Sequence, residues 1–156
     1  MTRRSLLGSA MSFFALAACK AEAATKSFAV NLSEAEWRRR LKPEQFAVLR
    51  RHATERPGSS GLNAEKRAGG YACAGCGHPL FSSRTKFESG TGWPSFWQPL
   101  GGAVGTRTDR SLMFARTEVH CARCGGHLGH VFKDGPKPTG LRYCMNGDAM
   151  TFRAAA

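Results

Sequence analysis

The chain has 156 residues, enough for one domain with its own core but not for two. Hydrophobic residues make up 42%, which excludes wholesale disorder, and 18 glycines with 7 prolines point to many turns and little long helix. The net charge of +12 admits nucleic acid or an anionic surface as partner, but the Arg and Lys are scattered rather than striped, so a solvated basic surface is the reading taken.

Residues 1–23 read as an export signal rather than as fold. Arg3 and Arg4 precede an apolar run from Leu6 to Ala18, followed by small residues, and that run is too short to span a bilayer. The stretch "TRRSLL" resembles a twin-arginine signal, a route that exports folded proteins. Two cleavage sites compete. Ala21-Glu22-Ala23 releases a chain starting at Ala24, whereas Leu16-Ala17-Ala18-Cys19 resembles a lipobox that leaves a lipidated Cys19. The expected organisation is an export signal over 1–23 and one folded domain over 24–156, periplasmic or anchored by a lipid on Cys19.

Ser33-Glu34-Ala35-Glu36 has the pattern of a capping box and predicts a short helix through Leu41. A second helix, with Pro43 in its first turn, runs to about Arg51. Trp37, Leu41, Phe46 and Leu49 recur at helical spacing and are expected to face the main body. "ATERPGSSGLNAEKRAGG" then reads as a long surface loop. From Tyr71 onward the pattern changes to short β-type runs: "YAC", "PLFSS", "KFES", "SLMFARTEVHC", "LGHVF", "LRYCMN" and "MTFR". The body is therefore expected to be mainly antiparallel β.

Two knuckles, Cys73-Ala74-Gly75-Cys76-Gly77 and Cys121-Ala122-Arg123-Cys124-Gly125, share one spacing. Two intervening residues let both sulfurs of a pair point at one ion, and the glycine behind permits the tight turn. Four thiolates suit a closed, tetrahedral, structural Zn²⁺. Two disulfides and a redox-active Cys-x-x-Cys are the alternatives. No βαβ pattern surrounds either knuckle, which argues against the redox motif.

Three further stretches stand out: "FESGTGWPSFW" with Trp93 and Phe96, "GGHLGHVFKDGP" with His127 and His130, and "GLRYCMN" with Cys144. Each alone is explained by packing or by zinc association. Together, a thiol, two imidazoles, an amide and tryptophans are what a thiolate enzyme for a neutral, apolar substrate needs.

From about Leu32 to Phe152 the chain resembles the methionine sulfoxide reductase B family, on "YACAGCGHPLF", "KFESGTGWPSF", "RTEVHCARCGGHLGHVFKDGP" and "GLRYCMN". The resemblance implies a zinc-bound β-tent of two antiparallel sheets with short N-terminal helices. It implies reduction of methionine-R-sulfoxide in proteins or peptides, with Cys144 as nucleophile and His127, His130 and Asn146 orienting or protonating the sulfoxide oxygen. Trp93 is implied as the wall for the substrate's methyl group, with Phe96 and Arg142 as further substrate-binding residues. Cys73, Cys76, Cys121 and Cys124 are implied as ligands of one zinc. Thiolate attack would release methionine and leave a sulfenic acid, with His⁺ or Arg142 favouring the thiolate.

One position departs from the family pattern: Thr91 stands where many members carry a resolving cysteine. Re-reduction is therefore expected from an external thiol, a thioredoxin-like protein or a small thiol. A monomer without nucleic-acid partner is expected. The rival readings are a non-enzymatic zinc ribbon and an exported thiol-disulfide oxidoreductase.

Overall fold

The computed structural model describes residues 28–156; the expected export signal, with Cys19, lies outside them. Helix α1 spans Glu34–Arg40 and α2 spans Pro43–Arg51. The capping box forms as expected: Ser33 Oγ accepts the Glu36 N–H at 3.3 Å, and Glu36 accepts the Ser33 N–H at 2.7 Å. Trp37, Leu41, Phe46 and Leu49 are all buried. The last turn of α2 closes on His52 in the left-handed region, φ 57°, which aims its ring back over the sheet.

Nine strands follow: β1 Gly69–Cys73, β2 Pro79–Ser82, β3 Lys86–Phe87, β4 Ser95–Phe96, β5 Val104–Asp109, β6 Arg116–Cys121, β7 His127–Phe132, β8 Arg142–Met145 and β9 Met150–Ala154. They form a three-stranded sheet, β2-β1-β9, and a six-stranded sheet, β3-β4-β8-β7-β6-β5, antiparallel throughout. Aromatic rings join the two. Phe96 of the large sheet stacks on Phe81 at 4.3 Å between centroids and meets Tyr71 edge-on at 4.9 Å, both from the small sheet. The expected mainly-β fold with N-terminal helices is what the chain adopts.

One run reads differently in three dimensions. "SLMFARTEVHC" predicted a continuous strand, yet β6 begins only at Arg116, and Leu112, Met113 and Phe114 are 60%, 95% and 79% exposed. The Asp109 carboxylate accepts the Ser111 N–H at 2.9 Å and turns the chain out of the ladder there. Strand β5 was not anticipated. It lies at the sheet edge with largely solvated side chains, so "VGTRTD" lacks an apolar face to betray it.

Candidate active site and metal centre

The two knuckles close on each other. Cys73 ends β1 and Cys121 ends β6, so the cluster ties the small sheet to the large one. The Gly77 N–H donates to Cys73 O at 2.8 Å and the Gly125 N–H to Cys121 O at 2.9 Å, the same turn twice, with both glycines at positive φ. The four sulfurs lie within 4.8 Å of one another, Cys73 to Cys124 at 3.7 Å and Cys76 to Cys121 at 3.6 Å. A disulfide needs about 2.05 Å, so none of these pairs is bonded. A tetrahedral Zn²⁺ with bonds of about 2.3 Å requires sulfurs about 3.8 Å apart, which these distances match. The residues present fit a structural zinc. Trp37 and Leu49 of the helices pack over it, and Arg50 donates to Cys124 O at 3.2 Å.

The second constellation is a row across the large sheet. Residues in register from the β5 edge inward are Arg107, Glu118, His130, Cys144 and Ser95, one from each of β5, β6, β7, β8 and β4. Directly opposed residues project from the same face, so pairing alone gathers these side chains. Gly129 beside His130 permits the approach, because a side chain there would overlap the Cys144 carbonyl. Cys144 is half-buried and opens into a cleft shared with Thr54, Trp93, Arg116, His130, Phe132 and Asn146. The Trp93 indole is held by its Nε1–H donating to Glu55 O at 3.2 Å.

Carboxylates fix both histidines. His127 Nδ1 lies 2.8 Å from Glu118 Oε1, and His130 Nε2 lies 2.7 Å from Asp109 Oδ2. Burial by itself would raise the Glu118 carboxyl, but hydrogen bonds from His127 and Arg107 outweigh it and bring it down to about 2. Hydrogen bonds from Ser111, His130 and Arg116 hold Asp109 well below the usual carboxylate range. Both acids are thus ionised and accept, so His127 donates from Nδ1 and His130 from Nε2. That leaves Nδ1 as the nitrogen of His130 not engaged by Asp109. Burial lowers the His130 pKa against the opposing pull of Asp109. His52, Glu118 and His127 are close enough to bracket a cation, but Arg107 already forks onto that carboxylate.

Not every expected site residue reaches the cleft. Phe96, expected to bind substrate, is wholly buried between Phe81 and Tyr71, on the opposite face of β4 from Ser95. Arg142 does not line the cleft. It forks onto Asp134 at 2.9 and 2.8 Å and covers the cleft-lining Phe132 at 4.5 Å, while its charge acts on Cys144. His127 is buried behind His130, their ring centroids 5.4 Å apart. Asn146 lines the cleft, but its amide is engaged: Nδ2 donates to Leu128 O at 3.1 Å and Oδ1 accepts the Glu55 N–H at 3.1 Å.

Sequence reasoning missed Glu55, Asp109 and Glu118. Glu55 lies in the stretch read as surface loop, yet it is 8% exposed and its carboxylate accepts the N–H groups of Gly147 at 2.7 Å and Asp148 at 2.8 Å. No local pattern marks such a residue, since its partners are 92 and 93 positions away.

Residues 41–154 match the SelR domain model. Among curated proteins, the peptide methionine sulfoxide reductase MsrB of Bradyrhizobium diazoefficiens is 59% identical over 119 residues, 76% of this chain and 86% of that protein. The MsrB of Agrobacterium fabrum is 54% identical over 124 residues, covering 79% and 92%. The chloroplastic peptide methionine sulfoxide reductase B1 of Arabidopsis thaliana is 52% identical over 134 residues, covering 85% and 66%. A thiol facing an indole and a carboxylate-fixed imidazole, beside a four-thiol metal site, accords with those matches, and the chain belongs to the MsrB family of peptide methionine sulfoxide reductases.

Proposed function

We propose that the protein reduces methionine-R-sulfoxide in oxidised proteins or peptides, with Cys144 as the attacking group. The observation that carries this is the cleft itself, where Cys144, Trp93 and His130 converge. The indole face receives the substrate's S-methyl group. His130, once it carries a second proton at Nδ1, donates that proton to the sulfoxide oxygen, which makes the sulfur electrophilic. The Cys144 sulfur attacks, the S–O bond of the substrate breaks, and methionine leaves as the oxygen passes to Cys144 as a sulfenic acid. Asp109 engages Nε2–H of His130 and so leaves Nδ1 to the substrate, and His127 with Glu118 supports it from behind. Arg142 acts through its charge and through Phe132 rather than by touching substrate. Zinc has no step in this chemistry; it joins the sheets that carry the row.

Re-reduction falls to an external thiol. Thr91 Oγ1 lies 3.8 Å from Cys144 Sγ, so the position of a resolving cysteine is filled by a hydroxyl, and the other described cysteines form the metal cluster. A thiol R′SH attacks the sulfenic sulfur and water leaves; a second thiol frees Cys144 and yields R′SSR′. The same reading extends to residues 1–23, whose order of charged, apolar and small residues supports export, and whose twin-arginine-like pair fits zinc loading before transport.

The test uses the separated epimers of N-acetyl-methionine sulfoxide with dithiothreitol. Loss of the R epimer alone is the expected result; loss of the S epimer, or of neither, overturns the assignment. Export is tested by fractionating cells that produce the full chain and an Arg3→Lys, Arg4→Lys variant, which should stay in the cytoplasm.

A further inference from the structure

A row of three hydroxyls ends on the nucleophile. Ser95, 1% exposed and opposite Cys144 in the ladder, donates to the Trp93 carbonyl at 3.1 Å. Ser89 Oγ lies 2.8 Å from Ser95 Oγ and 2.8 Å from Thr91 Oγ1, and it also accepts the Thr91 N–H at 3.4 Å. Thr91 Oγ1 completes the row at 3.8 Å from Cys144 Sγ.

The direction of this row follows from its far end. A carbonyl can only accept, so the single proton of Ser95 is committed to Trp93 O. Ser95 then accepts from Ser89, Ser89 accepts from Thr91, and Thr91 has only a lone pair left for Cys144. In this polarity Cys144 must donate, which requires the thiol. A thiolate cannot donate. To receive a hydrogen bond from Thr91 it needs all three hydroxyls to reverse, and the Trp93 carbonyl then loses its donor. The row cannot carry the proton away either, because it ends on a carbonyl; the thiol proton leaves through the cleft.

We propose that the Ser95–Ser89–Thr91 row is a polarity-set latch that holds resting Cys144 as a thiol and reverses when the thiolate or sulfenate forms. A resting thiol is oxidised more slowly than a thiolate, so the latch protects the nucleophile between turnovers. These three are positioning residues, since none lines the cleft. The inference rests on Cys144 as the attacking group.

The experiment follows the pH dependence of alkylation of Cys144 by iodoacetamide, read at the Cys144 peptide by mass spectrometry on zinc-loaded protein. The charged groups around Cys144 are His130 on β7 with its partner Asp109, Arg116 at the start of β6, Arg142 on β8, and Glu55 on the adjoining loop. All are retained in every variant. Ser95→Ala removes the carbonyl-bound end and frees Ser89 and Thr91 to donate toward sulfur. The alkylation midpoint should fall by about one pH unit, the size of one ordinary hydrogen bond gained by the charged form. Ser89→Ala, at a more accessible position, should shift it in the same direction and serves if Ser95→Ala does not fold. In a Thr91→Val background neither substitution should move the midpoint by more than about 0.2 unit, because the link to sulfur is gone. An equal shift in both backgrounds, an unmoved midpoint, or a rise overturns the latch. Whether alkylated protein still reduces the R epimer is a separate reading: retained activity overturns Cys144 as nucleophile, whatever the midpoints show.

Discussion

Replacing Glu55 by alanine tests whether a residue outside every motif holds the site together. The substitution keeps the backbone bonds to Asn146 and Trp93 and removes only the carboxylate that accepts the Gly147 and Asp148 N–H groups. The Gly147 N–H is buried, and an orphaned buried donor costs about 1–3 kcal/mol. Asp148 is partly exposed, so water recovers most of its bond, leaving a loss of about 0.5 kcal/mol. Burial pushes the Glu55 carboxyl up, which means its charge is costly where it sits and its removal returns part of the loss. The net destabilisation should be about 2 kcal/mol, or about 5–10 °C in Tm for a domain of this size. Because the freed segment follows Cys144 directly, kcat/KM for the R epimer should fall about tenfold through misplacement of Asn146 and Trp93. Thermal melts and single-epimer kinetics on zinc-loaded protein decide it. A Tm within 1 °C of wild type (a difference of roughly 0.3 kcal/mol) with unchanged kcat/KM would refute the reasoning.

The metal prediction is the largest. Cys121→Ser should lose zinc and the cooperative melt, because structural zinc contributes about 10 kcal/mol or more, against a total stability of about 5–15 kcal/mol; a metal-free variant that melts like wild type would count against it. Cys144→Ser should fold, keep one zinc and lose turnover by at least about 10³-fold, since a hydroxyl is far less nucleophilic than a thiolate; appreciable turnover would remove the assignment. Trp93→Ala should raise KM for the R epimer more than it lowers kcat, as an apolar wall is lost while the thiol stays, and steady-state kinetics separate the two. Stability should fall as pH drops below about 6.5. Burial lowers the His130 and His52 pKa values below 6.5, so the unfolded chain takes up protons first; stability is full above 6.5 and lost as pH falls toward the folded values. His130→Asn should flatten that slope in urea titrations, and an identical slope would exclude His130 as its source.

What the sequence determined by itself was local. The Ser33 capping box, Pro43 at a helix start, the paired cysteine spacing and the glycines behind it all act within a few residues, so each is readable without the fold. The motifs around Trp93, His130 and Cys144 were equally legible as motifs. Tertiary structure decided which of their side chains meet. Ser95 and Phe96 are neighbours in one conspicuous motif, but a strand sends successive residues to opposite faces, and only the pairing of β4 with β8 puts Ser95 beside Cys144 and Phe96 in the core. Asp109 reaches His130 across two strands, and Glu118 reaches His127 across a hairpin, because the antiparallel register sets them there. Glu55 acquires its role from amides more than ninety residues away. The apolar run at Leu112–Phe114 failed as a strand for the complementary reason: Asp109 bends the chain before the ladder can use it. Periodicity reports what a segment prefers, whereas a hydrogen-bonded site depends on long-range pairing, which no short window of sequence contains.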